Sequence, residues 1–406
     1  MDTAVTDMAM EAMVTATDSV TATIHTIKKV KKRNQFLAFS NQRNMNTDTI
    51  ITTSNYLTLI VFFLVFFGIS AVSYFSLLKR EEFNFMKKKN ATGERFSSQS
   101  KPIYGGTVFF GCIILAFVYI FLFCSNVDTM STTTLLICCI LAFGMGFVDD
   151  LNNFSPIFKL VFQILCALLF IFSNDHIATS DNIFLNSLLT IVWVVGIMNS
   201  INMLDNMDGI TSSVSLIIGL ALTSLSHNSD TFILLALLAS LSAFLIWNWN
   251  PAKMYMGDNG SQLLGVLLSY FSIKYVWNSG NTIIGVNYEQ IIFISLMFLI
   301  PMTDTITVAI NRFIGGHSPF VGDKYHTTHC LVYKGFSISK AVLLLDIITL
   351  IGSGLAWYFI KYANSTITIT EAAILISFAT FIFLWFYFFN LRVRKEHNLL
   401  YKKNNE

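Results

Sequence analysis

The chain is 406 residues long, 54% hydrophobic and 12% charged, with 38 phenylalanines and a mean hydropathy of +0.61. That composition excludes an ordinary soluble domain, and a formal net charge of +2 with the basic residues set in loops gives no footing for a nucleic-acid partner. Apolar runs near the roughly 18 to 20 residues needed to cross a bilayer recur along the chain, which predicts an all-α polytopic membrane protein.

Residues 1–50 are rich in Thr, Ala, Met and Asp, then basic at "KKVKKR", and lack the long apolar core of a signal peptide. They are expected to form a flexible N-terminal extension. Residues 51–392 form the expected membrane domain, and 393–406 a polar cytoplasmic tail. About eleven spans are predicted, near 56–78, 104–124, 132–148, 156–173, 183–200, 209–226, 231–249, 259–277, 289–311, 338–360 and 370–391. If every span crosses, the loops after spans 1, 3, 5, 7 and 9 share one side with the tail. That side holds Lys79, Arg80, Lys87, Lys88, Lys89, Arg95, Lys101, Lys159, Lys253, Arg312, Lys324, Arg392, Arg394 and Lys395, whereas the other has only Lys274 and Lys361 near it. The positive-inside rule makes the first side cytoplasmic and puts the N-terminus outside.

Four polar stretches interrupt the apolar pattern: "GFVDDLNNFSPIFK", "NMLDNMDG", "NPAKMYMGDNGS" and "GGHSPFVGDKYHTTH". All four fall on the predicted cytoplasmic face, which argues for one assembled site. Asp149 and Asp150 end one helix, Asp205 and Asp208 at i, i+3 are expected to share a helical face, and Asp258 lies in a turn. Clustered carboxylates repel unless a cation joins them, and oxygen ligands suit Mg²⁺, with Mn²⁺ as the alternative. Because Mg²⁺ usually completes its shell with water and phosphate oxygens, a phosphate-bearing substrate follows. Gly209, Gly257 and Gly260 permit close backbone approach at helix starts that favour anions, and Lys159 is placed to reach a phosphate. Taken singly, an Asp pair at a helix end is more often a cap than a metal site, and a lysine near a helix end more often snorkels. His317, His326 and His329 form a loop group without an HExxH or Cys partner, which fits phosphate or sugar recognition better than zinc. The six cysteines have no CxxC spacing and read as small hydrophobes.

With these motifs in order after "PIYGG" (Pro102 to Gly106), and followed by "PMTDTITVAINRF…SPF…D..H..H", the chain resembles the polyprenyl-phosphate N-acetylhexosamine-1-phosphate transferases, the group containing MraY and the WecA/TagO-type enzymes. The likeness runs from about Lys101 to Leu331. It implies an eleven-span fold and a reaction in which a polyprenyl phosphate attacks the β-phosphate of a UDP-N-acetylhexosamine and releases UMP. It further implies Asp258 as the Mg²⁺ ligand, Asp149 and Asp150 for the lipid phosphate and catalytic geometry, and Lys159 on phosphate. Asn202, Asp205 and Asp208 would shape the nucleotide-diphosphate site, and the His326–His329 loop would read the sugar.

The histidine loop is closer to the WecA/TagO branch, although Thr328 stands where a family histidine is usual and Cys330 where arginine is common. Asn206 replaces a glycine of DGxDG, and Ser97 lies near a family histidine. The resulting expectation is transfer of N-acetylglucosamine 1-phosphate to undecaprenyl phosphate at the cytoplasmic membrane, starting a cell-envelope glycan; a homodimer is compatible with it. An MraY-like phospho-N-acetylmuramoyl-pentapeptide transferase is the alternative within the class. A cation-coupled transporter is the rival from another class, disfavoured because the acids sit at helix ends on one face without an internal repeat.

Overall fold

The computed structural model describes residues 53–79, 101–125, 127–152, 154–279, 288–314, 325–363 and 366–405. The predicted extension over 1–50, the basic positions Arg80, Lys87, Lys88, Lys89, Arg95 and Lys324, and Ser97 and His317 lie outside them. The chain divides into Met1–Ile60 and Val61–Glu406, and of the first unit only the opening turns of helix α1 are described.

The described residues are helical, in the order α1 Thr53–Lys79, α2 Gly105–Phe123, α3 Thr129–Asn152, α4 Pro156–Phe172, α5 Ile183–Leu204, α6 Ile210–Leu225 and α7 Ser229–Asn248. Helix α8, Asp258–Ser272, runs into a π-helical turn at Ile273–Trp277. Then come α9 Tyr288–Met297, α10 Leu299–Ile314, α11 Thr327–Tyr333, α12 Ile338–Tyr362 and α13 Ile369–Asn405. Helix occupies every predicted span. Among the described residues, seven helices are long and apolar enough to cross a membrane, or eight if α9 and α10 count as one, which makes this an all-α multi-pass membrane protein.

Local chemistry sets several boundaries. Pro156 opens α4, where its missing N–H has no intrahelical partner to lose, and Asn182 caps α5 by accepting from the amides of Phe184 at 3.0 Å and Leu185 at 3.3 Å. The predicted span at 289–311 is not one helix: α9 and α10 meet at 86°. Pro301 explains the break, because it cannot donate to the Met297 carbonyl four residues back and its ring crowds that oxygen. Ser353 of α12 donates its hydroxyl to that Met297 carbonyl instead, at 3.3 Å.

Helix α8 is the centre of the packing. It lies against α3 and α5, with α2 and α6 also in contact, and Asn259 to Ser272 are all buried. Its start fits because glycines face it. A Cβ at Gly146 of α3 would press on the Asn259 backbone, and one at Gly106 of α2 would overlap the Asn259 side chain and Gly260. The "PIYGG" segment runs parallel to the strand-like residues before α8: Tyr255 N–H donates to Pro102 O at 2.9 Å, and the amides of Gly105 and Gly106 donate to Tyr255 O and Met256 O, both at 3.1 Å. All six cysteines are free, and five are buried.

Candidate active site

The last turn of α3, the first turns of α4 and α8, and the turn from α5 to α6 converge through named contacts. Lys159, in the first turn of α4, reaches between two carboxylates: its Nζ is 2.6 Å from Asp149 Oδ2 and 2.7 Å from Asp258 Oδ2. Its side chain is only 19% exposed, so it does not snorkel to water but forms the cation of a three-residue ion cluster. Asp149 Oδ1 also accepts from the Phe154 amide at 2.8 Å, which ties the loop after α3 to its own helix end.

Asp150 has a different task. Its two carboxylate oxygens each accept from a backbone amide at the start of α8, Asp258 N–H and Asn259 N–H, both at 3.1 Å. An acid there satisfies donors that the helix leaves open and complements the positive end of its dipole. Gly257 holds φ at +82°, and a Cβ there would strike Ile103 and approach Asp150 Oδ2 at 2.8 Å. Glycine is therefore required both by the backbone angle and by the closeness of Asp150.

Asp205 and Asp208 do not share a helical face as expected. Helix α5 stops at Leu204, Asp205 follows as its cap, and Gly209 at φ +84° turns the chain before α6 begins at Ile210. The pair thus sits in a turn. Asp208 is buried, and its Oδ2 accepts from Asn250 Nδ2 at 3.0 Å and from the Ala252 amide at 2.9 Å. It holds the loop between α7 and α8 in place. Asn202 Oδ1 accepts from Ser261 Oγ at 2.6 Å, joining α5 to α8 one turn beyond Asp258.

The histidine loop joins the same turn. Thr328 Oγ1 donates to Asn206 Oδ1 at 2.6 Å, and His329 Nε2 lies 3.3 Å from the Asn206 carbonyl. His326 and His329 are both buried, with ring centroids 5.6 Å apart at 85°. The four sequence stretches are therefore linked side chain to side chain into one assembly.

Two carboxylates converge on one ammonium, and Asp150 adds a further negative charge beside them. Oxygen-only donors on Asp149 and Asp258 fit a hard divalent cation that takes one or two protein carboxylates and fills its shell with water or phosphate. Among the described residues no three His, Cys, Asp or Glu side chains form a closed metal cage.

Residues 132–276 match glycosyl transferase family 4, a range that includes Asp149, Asp150, Lys159, Asn202, Asp205, Asp208 and Asp258. This stretch is similar to enzymes of the MraY/WecA/TagO group. The chain is similar to a probable undecaprenyl-phosphate N-acetylglucosaminyl 1-phosphate transferase of Bacillus subtilis, 30% identical over 223 residues, 52% of this chain and 60% of the relative. It is also similar to a phospho-N-acetylmuramoyl-pentapeptide-transferase of Streptococcus uberis, 31% identical over 222 residues, 48% of this chain and 65% of the relative. A decaprenyl-phosphate N-acetylglucosaminephosphotransferase of Mycolicibacterium smegmatis is 30% identical over 175 residues, 39% of this chain and 43% of the relative. The chain thus spans less than two thirds of the length of each of these relatives.

Sequence reasoning missed three members of this site and its surroundings. Asn248 Oδ1 accepts from the Gly209 amide at 3.1 Å and from Ser212 Oγ at 2.9 Å, while its Nδ2 donates to Met254 O at 3.0 Å. Asn206, noted only as a glycine replacement, is the junction to the histidine loop. Asp304 pairs with His326 from inside an apolar run. The available signal was the last of these: an acid at "PMTD" in a membrane segment asks for a partner.

Proposed function

We propose that this protein transfers N-acetylhexosamine 1-phosphate, with N-acetylglucosamine as the sugar, from a UDP-sugar to undecaprenyl or a related polyprenyl phosphate, releasing UMP and starting a cell-envelope glycan. The observation that carries the reading is Lys159 held between Asp149 and Asp258, two carboxylates and an ammonium drawn together from three helices. Such a centre suits the meeting of two phosphates, whose mutual repulsion is the main obstacle to reaction. A phosphate monoester has a second pKa of about 6, so the lipid phosphate is largely dianionic at neutral pH and needs no strong general base. Its oxygen forms the new bond to the β-phosphorus as the bond to the bridging oxygen breaks, and that oxygen leaves with UMP.

In this reading Lys159 gives up part of its pairing to the carboxylates and meets incoming phosphate oxygens, lowering the repulsion between donor and acceptor. Asp258, with Asp149 beside it, would hold Mg²⁺, which supplies charge neutralisation and alignment of the diphosphate. Asp150 fixes the amides at the start of α8, keeping Asp258 in place. Asn202, Asp205 and the Asp208-anchored turn shape the nucleotide side, and His326 and His329 read the sugar. The Streptococcus uberis relative supports the muramoyl-pentapeptide alternative, while the Bacillus and Mycolicibacterium relatives support N-acetylglucosamine.

Since one phosphoanhydride replaces another, the reaction is close to reversible. Purified protein with Mg²⁺ and polyprenyl-diphospho-N-acetylglucosamine is expected to incorporate labelled UMP into UDP-sugar, and chelation is expected to abolish it. Incorporation of labelled UDP in place of UMP would mean that sugar, not sugar phosphate, is transferred, and the proposal would fall.

We further propose that the site faces the cytoplasm, where UDP-sugars are made, on the basis of the lysine and arginine asymmetry. With single cysteines in a Cys-free background, Arg95→Cys and the exposed Lys253→Cys should resist an impermeant thiol reagent in intact cells, while Asn126→Cys and the exposed Asp181→Cys react. Labelling of Lys253→Cys from outside would invert the orientation.

A further inference from the structure

Asp304 lies in α10 at 2% exposure, in the run Leu299–Val308 where Leu299, Ile300 and Val308 are buried apolar neighbours in sequence. A carboxylate placed there is costly unless its oxygens are met. Both are. Asp304 Oδ2 is 2.8 Å from His326 Nδ1, and Oδ1 accepts from the Thr327 amide at 2.7 Å.

The chemistry of the acceptor fixes the proton. An ionised carboxylate only accepts hydrogen bonds, so His326 Nδ1 must be the donor, leaving Nε2 on the opposite edge of the ring. One carboxylate thereby sets both the ring orientation of His326 and the backbone just after it, at the entry to α11. The far side is braced as well: Asn390 of α13 donates from Nδ2 to Thr327 Oγ1 at 3.0 Å. His329, whose Nε2 approaches Asn206 O, packs edge to face on the His326 ring, so the braced pair lies beside the α5–α6 turn of the candidate site.

We infer that Asp304 is a positioning residue for the transfer proposed above: acting through His326, it holds Nδ1 protonated toward α10 and presents Nε2, the hydrogen-bond acceptor in that tautomer, to a hydroxyl of the substrate sugar. The inference rests on the proposed function for its substrate, but the orientation itself has a test that needs none.

The test uses the full-length protein labelled with ¹⁵N-histidine in detergent micelles. The chain has seven histidines, and the His326 resonances are those lost in His326→Gln. The expected result is a protonated Nδ1 in the unaltered protein. In Asp304→Asn the amide oxygen stays on the Thr327 N–H, its NH₂ group falls where Oδ2 was, and Nδ1 should become the bare nitrogen. In parallel, kcat should fall roughly 10- to 100-fold with KM little changed. The double variant Asp304→Asn with His326→Gln should be within about twofold of His326→Gln alone, because the two residues act as one unit.

A bare Nδ1 in the unaltered protein overturns the inference, and this measurement stands even if Asp304→Asn does not fold. So does an unchanged Nδ1 in a folded Asp304→Asn of reduced activity, or a double variant well below His326→Gln, since either means that Asp304 acts structurally. Absence of any transferase activity in the unaltered protein, with Nδ1 protonated, would count against the proposed function and leave the orientation standing.

Discussion

Asp258→Asn should fold normally and lose transfer with every UDP-sugar offered, by about 10³-fold, or ~4 kcal/mol of transition-state stabilisation. The substitution keeps the side chain's size at the first residue of α8 and leaves the amides that Asp150 accepts untouched. Lys159 retains Asp149 as its partner at 2.6 Å, so the ammonium is not stranded. What disappears is one of two carboxylates converging on the centre, and with it the charge expected to hold Mg²⁺. Because that charge serves the phosphates and not the sugar, all UDP-N-acetylhexosamines should fall alike, and raising Mg²⁺ should restore little. Initial rates across a sugar panel at several Mg²⁺ concentrations, with thermal unfolding as the control for folding, make the check. A variant that keeps a tenth of the activity, or loses it with one sugar only, would remove Asp258 from the metal role.

Gly106→Ala should destabilise the protein by ~3 kcal/mol or more, where Gly111→Ala in the same helix changes it by less than ~0.5 kcal/mol. The contrast comes from what each Cβ would meet. At Gly111 nothing lies within 4 Å. At Gly106 the new atom would overlap Asn259 Oδ1 and the backbone of Gly260, and the clash is mutual, since a Cβ at Gly260 would come 2.9 Å from Gly106 Cα. Backbone against backbone leaves no flexible side-chain end to swing aside, and the amides of Gly105 and Gly106 are already bonded to Tyr255 and Met256. Relief requires α2 and α8 to separate, which moves Asp258 with its helix. Activity in the surviving folded fraction should therefore drop too. Thermal unfolding of the two variants side by side decides it, and equal stability would show that the glycine contact is not tight.

The placement of the polar stretches was legible because a membrane leaves few places for charge: Asp149, Lys159 and Asp258, far apart in the chain, all stood out against apolar surroundings and proved to touch. Helix positions were legible for the same reason. The division of labour was not. Nothing in "VDDL" tells that Asp149 meets Lys159 while its neighbour caps α8, because adjacent residues at a helix end differ by about 100° in direction and only the packed partner decides which faces what. Asp205 and Asp208 looked helical by spacing, yet the left-handed Gly209 puts them in a turn. Pro301 could have warned of the break between α9 and α10, but an apolar run of span length hid it. Asp304 and His326 were both visible, and their pairing was not, since it depends on how the chain returns after α10.

Helix α8 has one more consequence, for how the chain enters its membrane. It bears Asp258, Asn259, Ser261, Gln262, Ser269 and Ser272 along one side, and it is not among the helices apolar enough to cross by themselves. Set alone in lipid, such a segment would expose this polar side to hydrocarbon. Its neighbours α2, α3, α5 and α6 all precede it in the chain, so a ribosome working from the N-terminus delivers the walls of the cleft before the helix that fills it. The segment that carries Asp258 is thus a late arrival, received by helices already in place, and its burial is the step that brings Asp258 to Lys159.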